Sequence, residues 1–291
     1  MADPFNQTFF PASFQELFGI WNRFPDAKIF AGGIEHLRNQ NGRVPVLPEH
    51  IISLQRLEEM GRISRTEKYL EIGAMVKLNQ ILQLGRIVPE VLIKCLESIA
   101  GPQVRNMASI GGNLCNFSRK LDCSAPMIAL DAQYELRTAK SSRWISASRF
   151  SSLPGPPELA RNEILARIRI PLNPWTFTRY FKFRNTGNNE PGGNILFIMQ
   201  NQKNILTHIR VVYCGQMVLR ERNSEIMLEG KHLPLDRKNI AAFIDKWKTY
   251  LSVFEGNENS IFAGTDENSY PELEKAQILN FIENTLMSVS A

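Results

Sequence analysis

Apolar and polar positions alternate differently along the two halves of the chain. Phe14, Leu17, Phe18 and Trp21 fall at i, i+3, i+4 and i+7, one face of a helix that Pro25 stops. Lys28–Ala31 reads as a short strand, Gly32–Gly33 as a turn, and Ile34–Arg38 as the start of a helix. Val44–Leu47 and His50–Leu54 read as strands broken by Pro45 and Pro48, Leu57–Met60 as a helical turn, and Lys68–Ile72 as a strand closed by Gly73. This rhythm predicts a small α/β subdomain ending near residue 65. Leu78, Ile81 and Leu82 then line a helix. Pro89 starts another, with a stripe of Val91, Leu92, Cys95, Leu96 and Ile99 that Gly101–Pro102 ends. Met107–Ile110 is a β-type run leading into Gly111–Gly112, and Asp122 or Ser124 can cap a helix through Ala129. Tyr134–Thr138 and Trp144–Ala147 alternate as strands. Glu163–Ile170 puts Ile164, Ala166, Ile168 and Ile170 on one face and Leu165, Arg167 and Arg169 on the other.

Beyond Pro171 and Pro174 the pattern changes. Tyr180–Phe183 reads as a strand, and Asn185–Asn194 as a polar, glycine-rich loop. Ile195–Gln200 and Leu206–Tyr213 flank Asn201–Asn204 as a hairpin, and Gln216–Arg220 adds a strand. Asn223–Glu229 is a short helix stopped by Gly230. Two helices close the chain, lined by Ile240, Phe243, Ile244, Trp247 and Leu251, and by Leu273, Ala276, Ile278, Phe281, Ile282 and Leu286. The expectation is an α+β protein: residues 1–175 in two subdomains (about 1–65 and 66–175), then a smaller α+β domain, 176–291, of antiparallel sheet and helices.

Charge narrows the picture. Of 291 residues, 34 are Lys or Arg and 29 are Asp or Glu, interspersed, for a net charge of +5. Without a zinc-finger, RNP or basic-helix signature this is a mixed solvated surface, and nucleic acid is not expected as a partner. No apolar run is long enough to span a bilayer, and the N-terminus lacks the basic-then-apolar layout of a secretory signal. A cytoplasmic protein with no membrane partner is expected. Cys95, Cys115, Cys123 and Cys214 form no C-x-x-C pair and fit neither a zinc nor an iron–sulfur framework, so the chain is expected to hold no metal of its own. Four histidines, no nucleophile–base pair and no H-E-x-x-H leave no candidate catalytic residue.

Two glycine pairs carry the candidate chemistry. Strand, Gly32–Gly33, helix is a phosphate-binding arrangement, with loop N–H groups and a helix N-terminus turned toward an anion. It is neither G-x-G-x-x-G nor a P-loop. Gly111–Gly112 lets a bulky ligand approach the backbone, and Asn113 and Asp122 can bond its polar edges. A plain turn is the competing reading of either pair alone, and a helix cap that of Asp122.

Taken together, the blocks resemble a known family. AGGIEH at Ala31–His36 and QVRNMASIGGNLCNFSRKLD at Gln103–Asp122 are similar to the two flavin loops of the FAD-binding subunits of molybdenum hydroxylases, the xanthine dehydrogenase and carbon monoxide dehydrogenase family. YLEIGAMVKLNQI at Tyr69–Ile81, NEILARIRIP at Asn162–Pro171, YFKF at Tyr180–Phe183 and MVLRERNSEIMLEGKHL near the C-terminal end resemble later blocks, in order. The resemblance implies a two-subdomain FAD-binding domain of the PCMH/VAO type and FAD as cofactor. It implies electron relay from a [2Fe–2S] subunit and a molybdopterin subunit through flavin to NAD or another acceptor. Carried over, Ile29, Phe30, Ala31, Gly32, Gly33, Ile34 and Glu35 would embrace the diphosphate. Ser109, Gly111, Gly112 and Asn113 would contact the diphosphate and ribityl region, and Asp122 a ribose. Ile99 and Leu165 would pack on the rings, and Lys182 would place a cation near the isoalloxazine. Phe117-Ser118-Arg119, the long Asn185–Asn194 loop and Tyr270-Pro271 depart from the family pattern. Those departures motivate two alternatives: a scaffold subunit that keeps the fold without FAD, and a stand-alone flavin oxidoreductase.

Overall fold

The computed structural model describes residues 7–38, 40, 46–116, 121–151, 157–183, 193–215, 218–253 and 271–290. The expectations for Val44–Pro45, Phe117–Arg119, residues 185–192, Gln216 and Tyr270 lie outside the described residues.

The chain opens with β1 (Gln7–Phe9), α1 (Phe14–Arg23), β2 (Lys28–Phe30), α2 (Ile34–Arg38) and β3 (His50–Ser53). Ser13 caps α1 by accepting from the Glu16 amide, and Leu17 and Phe18 are the residues the helix buries. β3 lies between β1 and β2, parallel to both.

A second sheet begins earlier than the expected boundary near 65, because β4 (Ile63–Arg65) pairs antiparallel with β5 (Tyr69–Gly73). Five helices follow: α3 (Leu78–Gln83), α4 (Glu90–Glu97), α5 (Pro102–Met107), α6 (Ile110–Leu114) and α7 (Ser124–Ala129). Then come β6 (Gln133–Arg137), β7 (Ser142–Ser146), α8 (Ala147–Phe150) and β8 (Ile164–Pro171), which complete the order β4-β5-β8-β6-β7. The inner face carries Leu70, Ile72, Tyr134, Leu136, Ile168 and Ile170, all buried. The outer face carries a cross-strand ion lattice in which Glu71 receives Arg167 at 3.2 Å and Arg169 at 2.7 Å. Burial pushes the Glu71 carboxyl up, but the two guanidiniums outweigh it and hold it below its ordinary range.

β9 (Phe177–Lys182), β10 (Asn194–Gln202), β11 (Ile205–Cys214) and β12 (Val218–Leu219) form an antiparallel sheet, followed by α9 (Arg222–Leu228), α10 (Arg237–Ser252) and α11 (Pro271–Val289). Lys203 and Asn204 both have positive φ, +51° and +60°, and close the β10–β11 hairpin in two residues. Both faces of this sheet are covered. Ile195, Phe197 and Met199 point to the core around Phe243 and Trp247, whereas Leu196, Ile198 and Val212 join the core of the front half. A strand buried on both sides reads as a continuous apolar run, as N-I-L-F-I-M does. Among the described residues no helix is long and apolar enough to cross a membrane.

Candidate functional site

The two glycine loops meet. A Cβ added to Gly32 would lie 2.1 Å from the Met107 carbonyl oxygen, so only glycine lets the first loop close on the backbone that leads into the second. Gly112 faces Ala31 across the same seam, its virtual Cβ 3.9 Å from the alanine methyl. Gly33 has φ +73°, the left-handed conformation that glycine adopts freely. Among the described residues the amides of Gly32, Gly33 and Ile34 meet no hydrogen-bond acceptor. Consecutive free N–H groups on such a turn make a concavity suited to an anion. Because α2 is only five residues long, these amides matter more than the helix dipole expected from the sequence.

The second loop is not the strand-and-turn that Met107–Ile110 predicts. Pro102–Met107 is helical, both glycines sit in the single turn of α6, and only Lys77 and Ser109 form a β-bridge. The reason is tertiary. Ile110 donates to the Val76 carbonyl at 3.0 Å and Gly111 to Ala74 at 2.8 Å, and a Cβ on Gly111 would clash with Ala74. Ser109 Oγ accepts from the Gly112 amide at 3.1 Å, and Asn113 Oδ1 from the Cys123 amide at 3.2 Å. Ser109, Gly111 and Asn113 are therefore largely interior, while Gly112 is exposed on the seam.

Asp122 and Lys182, sixty residues apart, form an ion pair at 2.7 Å, and Lys182 Nζ also donates to the Ser98 carbonyl at 3.3 Å. Asp122 does not cap α7, whose N-cap is Cys123. Around the pair, Ser98 Oγ and Tyr180 OH are 3.0 Å apart, and Lys94 donates to the Thr178 carbonyl, which binds β9 to the end of α4. Burial, with Cys95 and Asp122 nearby, pushes the Tyr180 phenol up, outweighing Ser98. Cys95, Cys123 and Cys214 are interior. A bond to Cys95 and burial push the Cys123 thiol up, and burial alone raises Cys115 to about 12. Cys115 and Cys123 are therefore protonated, unreactive thiols at neutral pH. Among the described residues no group of three or more His, Cys, Asp or Glu side chains is placed to hold a metal.

The remaining expected residues divide. Ile29, Phe30, Ala31, Ile34 and Glu35 are half-buried along the first loop, and Ile99 is nearly buried just past the end of α4. Leu165 is a correction. A register shift between Glu135 and Leu136 sets Leu165 opposite Leu136 and turns it inward, 1% exposed, so it offers a ligand no surface.

Two cations have roles that their place in the sequence does not reveal. Arg105 Nη1 donates to the carbonyls of Ile99 and Ala100 at 2.8 and 2.7 Å, closing the end of α4. Lys77 Nζ donates to the Met107 carbonyl at 3.0 Å, the same oxygen that Gly32 abuts. Burial pulls the Lys77 ammonium below its ordinary value. A lone lysine inside the apolar run Met75-Val76-Lys77-Leu78 was the available signal.

Residues 4–173 match the family model described as the FAD binding domain in molybdopterin dehydrogenase. The xanthine dehydrogenase FAD-binding subunit of Escherichia coli O157:H7 is 32% identical over 157 residues, 52% of each chain. The match thus spans about half the length of that relative. The carbon monoxide dehydrogenase medium chain of Hydrogenophaga pseudoflava is 28% identical over 225 residues, 75% of this chain and 77% of that one. A solved carbon monoxide dehydrogenase from Hydrogenophaga pseudoflava superposes with a TM-score of 0.81 at 25% identity, covering 100% of both chains. Quinoline 2-oxidoreductase from Pseudomonas putida 86 superposes at 0.80 with 22% identity, over 100% of this chain and 98% of that one, a likeness of fold.

Proposed function

The chain belongs to the FAD-binding domain family of molybdopterin dehydrogenases and has the PCMH-type flavin-binding fold, and from that premise we propose that it is the FAD-carrying, electron-relaying subunit of a xanthine dehydrogenase-like molybdenum hydroxylase. The carrying observation is the seam itself: two glycine loops in backbone contact, with the amides of Gly32, Gly33 and Ile34 lacking an acceptor. That cradle fits a diphosphate, which brings the charge and the oxygens these groups lack. Bound FAD would supply two-electron storage between one-electron and hydride partners.

The chain's own residues bind, orient and exclude water. Gly32–Glu35 hold the diphosphate, and Gly112 admits the cofactor from the opposite loop. Ser109 and Asn113 act mainly by fixing that loop, since both side chains already accept backbone amides. Asp122 and Lys182 act as a pair, so the net field at a nearby ring is smaller than that of a lone lysine. Ile99 supplies apolar surface at the edge of the cleft. A [2Fe–2S] subunit and a molybdopterin subunit are the proposed partners, with NAD or another acceptor as electron exit.

Adding FAD to the purified chain, removing the excess and recording the visible spectrum tests the cofactor claim. A retained flavin band is expected, and its absence sinks the claim. One observation favours a second reading, a scaffold subunit: Asp122, Lys182 and Asn113 satisfy one another or the backbone without a ligand. A chain that takes up no FAD yet co-purifies with both partner subunits would establish it.

A further inference from the structure

Lys77 precedes α3, where Gln80 Oε1 accepts from its amide at 2.9 Å. Its side chain is half-buried, and that burial already destabilises its charge. Among the described residues no carboxylate lies within ion-pair distance of it. An ammonium has three donors, and the Met107 carbonyl takes one. Capping α5, which ends at Met107, explains that bond. It does not explain why a half-buried cation should stand without a counter-charge, since a neutral donor would cap as well at lower desolvation cost. The Met107 carbonyl is also the wall against which Gly32 packs. The ammonium and the loop with free amides therefore flank one oxygen.

We propose that Lys77 is a third arm of the cofactor clamp, an anion-binding residue whose ammonium, anchored on the Met107 carbonyl at the seam of the two glycine loops, pairs with the diphosphate of a bound dinucleotide. The inference rests on the flavin reading above and adds a cation to a clamp otherwise made of backbone. Its consequence is recognition by charge as well as by shape, and therefore sensitivity to salt.

The test compares FAD dissociation constants, by flavin fluorescence titration, for the wild-type chain and for Lys77→Gln, Lys77→Met and Lys77→Arg, at low and high sodium chloride. Melting of each cofactor-free protein is followed alongside. Gln keeps a donor and drops the charge, whereas Arg keeps both. Charge pairing requires the Gln and Met variants to bind FAD roughly ten- to a hundredfold more weakly, with a shallower salt dependence, and the Arg variant to stay near wild type. Gln and Met variants that bind FAD as tightly as wild type overturn the proposal and leave Lys77 as a helix cap, seen as a lower melting temperature only. If Met does not fold, the Gln–Arg comparison decides. If the wild-type chain takes up no FAD, it is the flavin reading that falls, and this arm with it.

Discussion

Gly32→Ala probes the contact on which the site depends. The new Cβ would meet Met107 O at 2.1 Å, Met107 C at 2.8 Å and Ala108 Cα at 3.3 Å, all backbone atoms that no rotamer change can move. An ordinary contact begins near 3.4 Å, so the loops must part by about 1.3 Å at that point. Forcing a methyl into a packed site costs about 1–3 kcal/mol, and rigid neighbours place this case toward the upper end. In a domain of this size that is a fall in melting temperature of about 2–4 °C per kcal/mol. Gly19→Ala is the matched control. Gly19 lies within α1 with nothing inside 4 Å of its virtual Cβ, so the same methyl should stabilise by about 0.5–1 kcal/mol. Urea unfolding of the two variants gives the stability terms, and FAD titration gives the affinity. Opposite signs of stability change, with weakened FAD binding for Gly32→Ala alone, are expected. A Gly32→Ala protein that unfolds like wild type and binds FAD unchanged would refute the contact between the loops.

Lys182→Met strands the largely buried Asp122 carboxylate and should cost about 1–2 kcal/mol, with less than additive loss in the double variant carrying Asp122→Asn; a strictly additive double-mutant cycle would deny the pair. Glu71 and Glu163 both have depressed folded-state values, Glu163 chiefly through the Arg143 guanidinium at 2.8 and 2.9 Å against opposing burial. Their contribution is therefore complete above the ordinary carboxyl value of 4.5 and is lost as pH falls through the lower folded values, a loss that Glu163→Gln should blunt in acid melts. Replacing Lys203-Asn204, both at positive φ, with Asn-Gly should raise stability by about 0.5–1 kcal/mol in thermal melts.

What could be read in the sequence was mostly local. The α1 stripe from Phe14 to Trp21, a hairpin turning within Asn201–Asn204 and the helix stopped by Gly230 follow from spacing and turn chemistry, and the structure carries all three, with the turn narrowed to Lys203–Asn204. What could not be read depended on distant partners. Met107–Ile110 looks like a strand, but Val76 and Ala74 claim the Ile110 and Gly111 amides and bend the stretch into helical turns. Leu165 looks outward by strict alternation until one register shift turns it inward. The two glycine pairs were legible as loops, yet that they touch depends on Met107 O, an atom with no sequence signature. Asp122 and Lys182 each read as a ligand contact in the sequence, and their mutual pairing is visible only once β9 lies along α4.

The sheet shared by two cores also governs how the chain is made. Leu196, Ile198, Val212 and Cys214 finish a core whose other fully buried members all precede residue 175. When that earlier portion leaves the ribosome, its face waits for strands not yet translated. At about 5–20 residues per second the interval to Cys214 is a few seconds, long compared with collapse of the nascent segment. During it the face of α7 that β10 and β11 come to cover is bare, so the vulnerable period in the life of this protein falls between the synthesis of β8 and the closing of the β10–β11 hairpin.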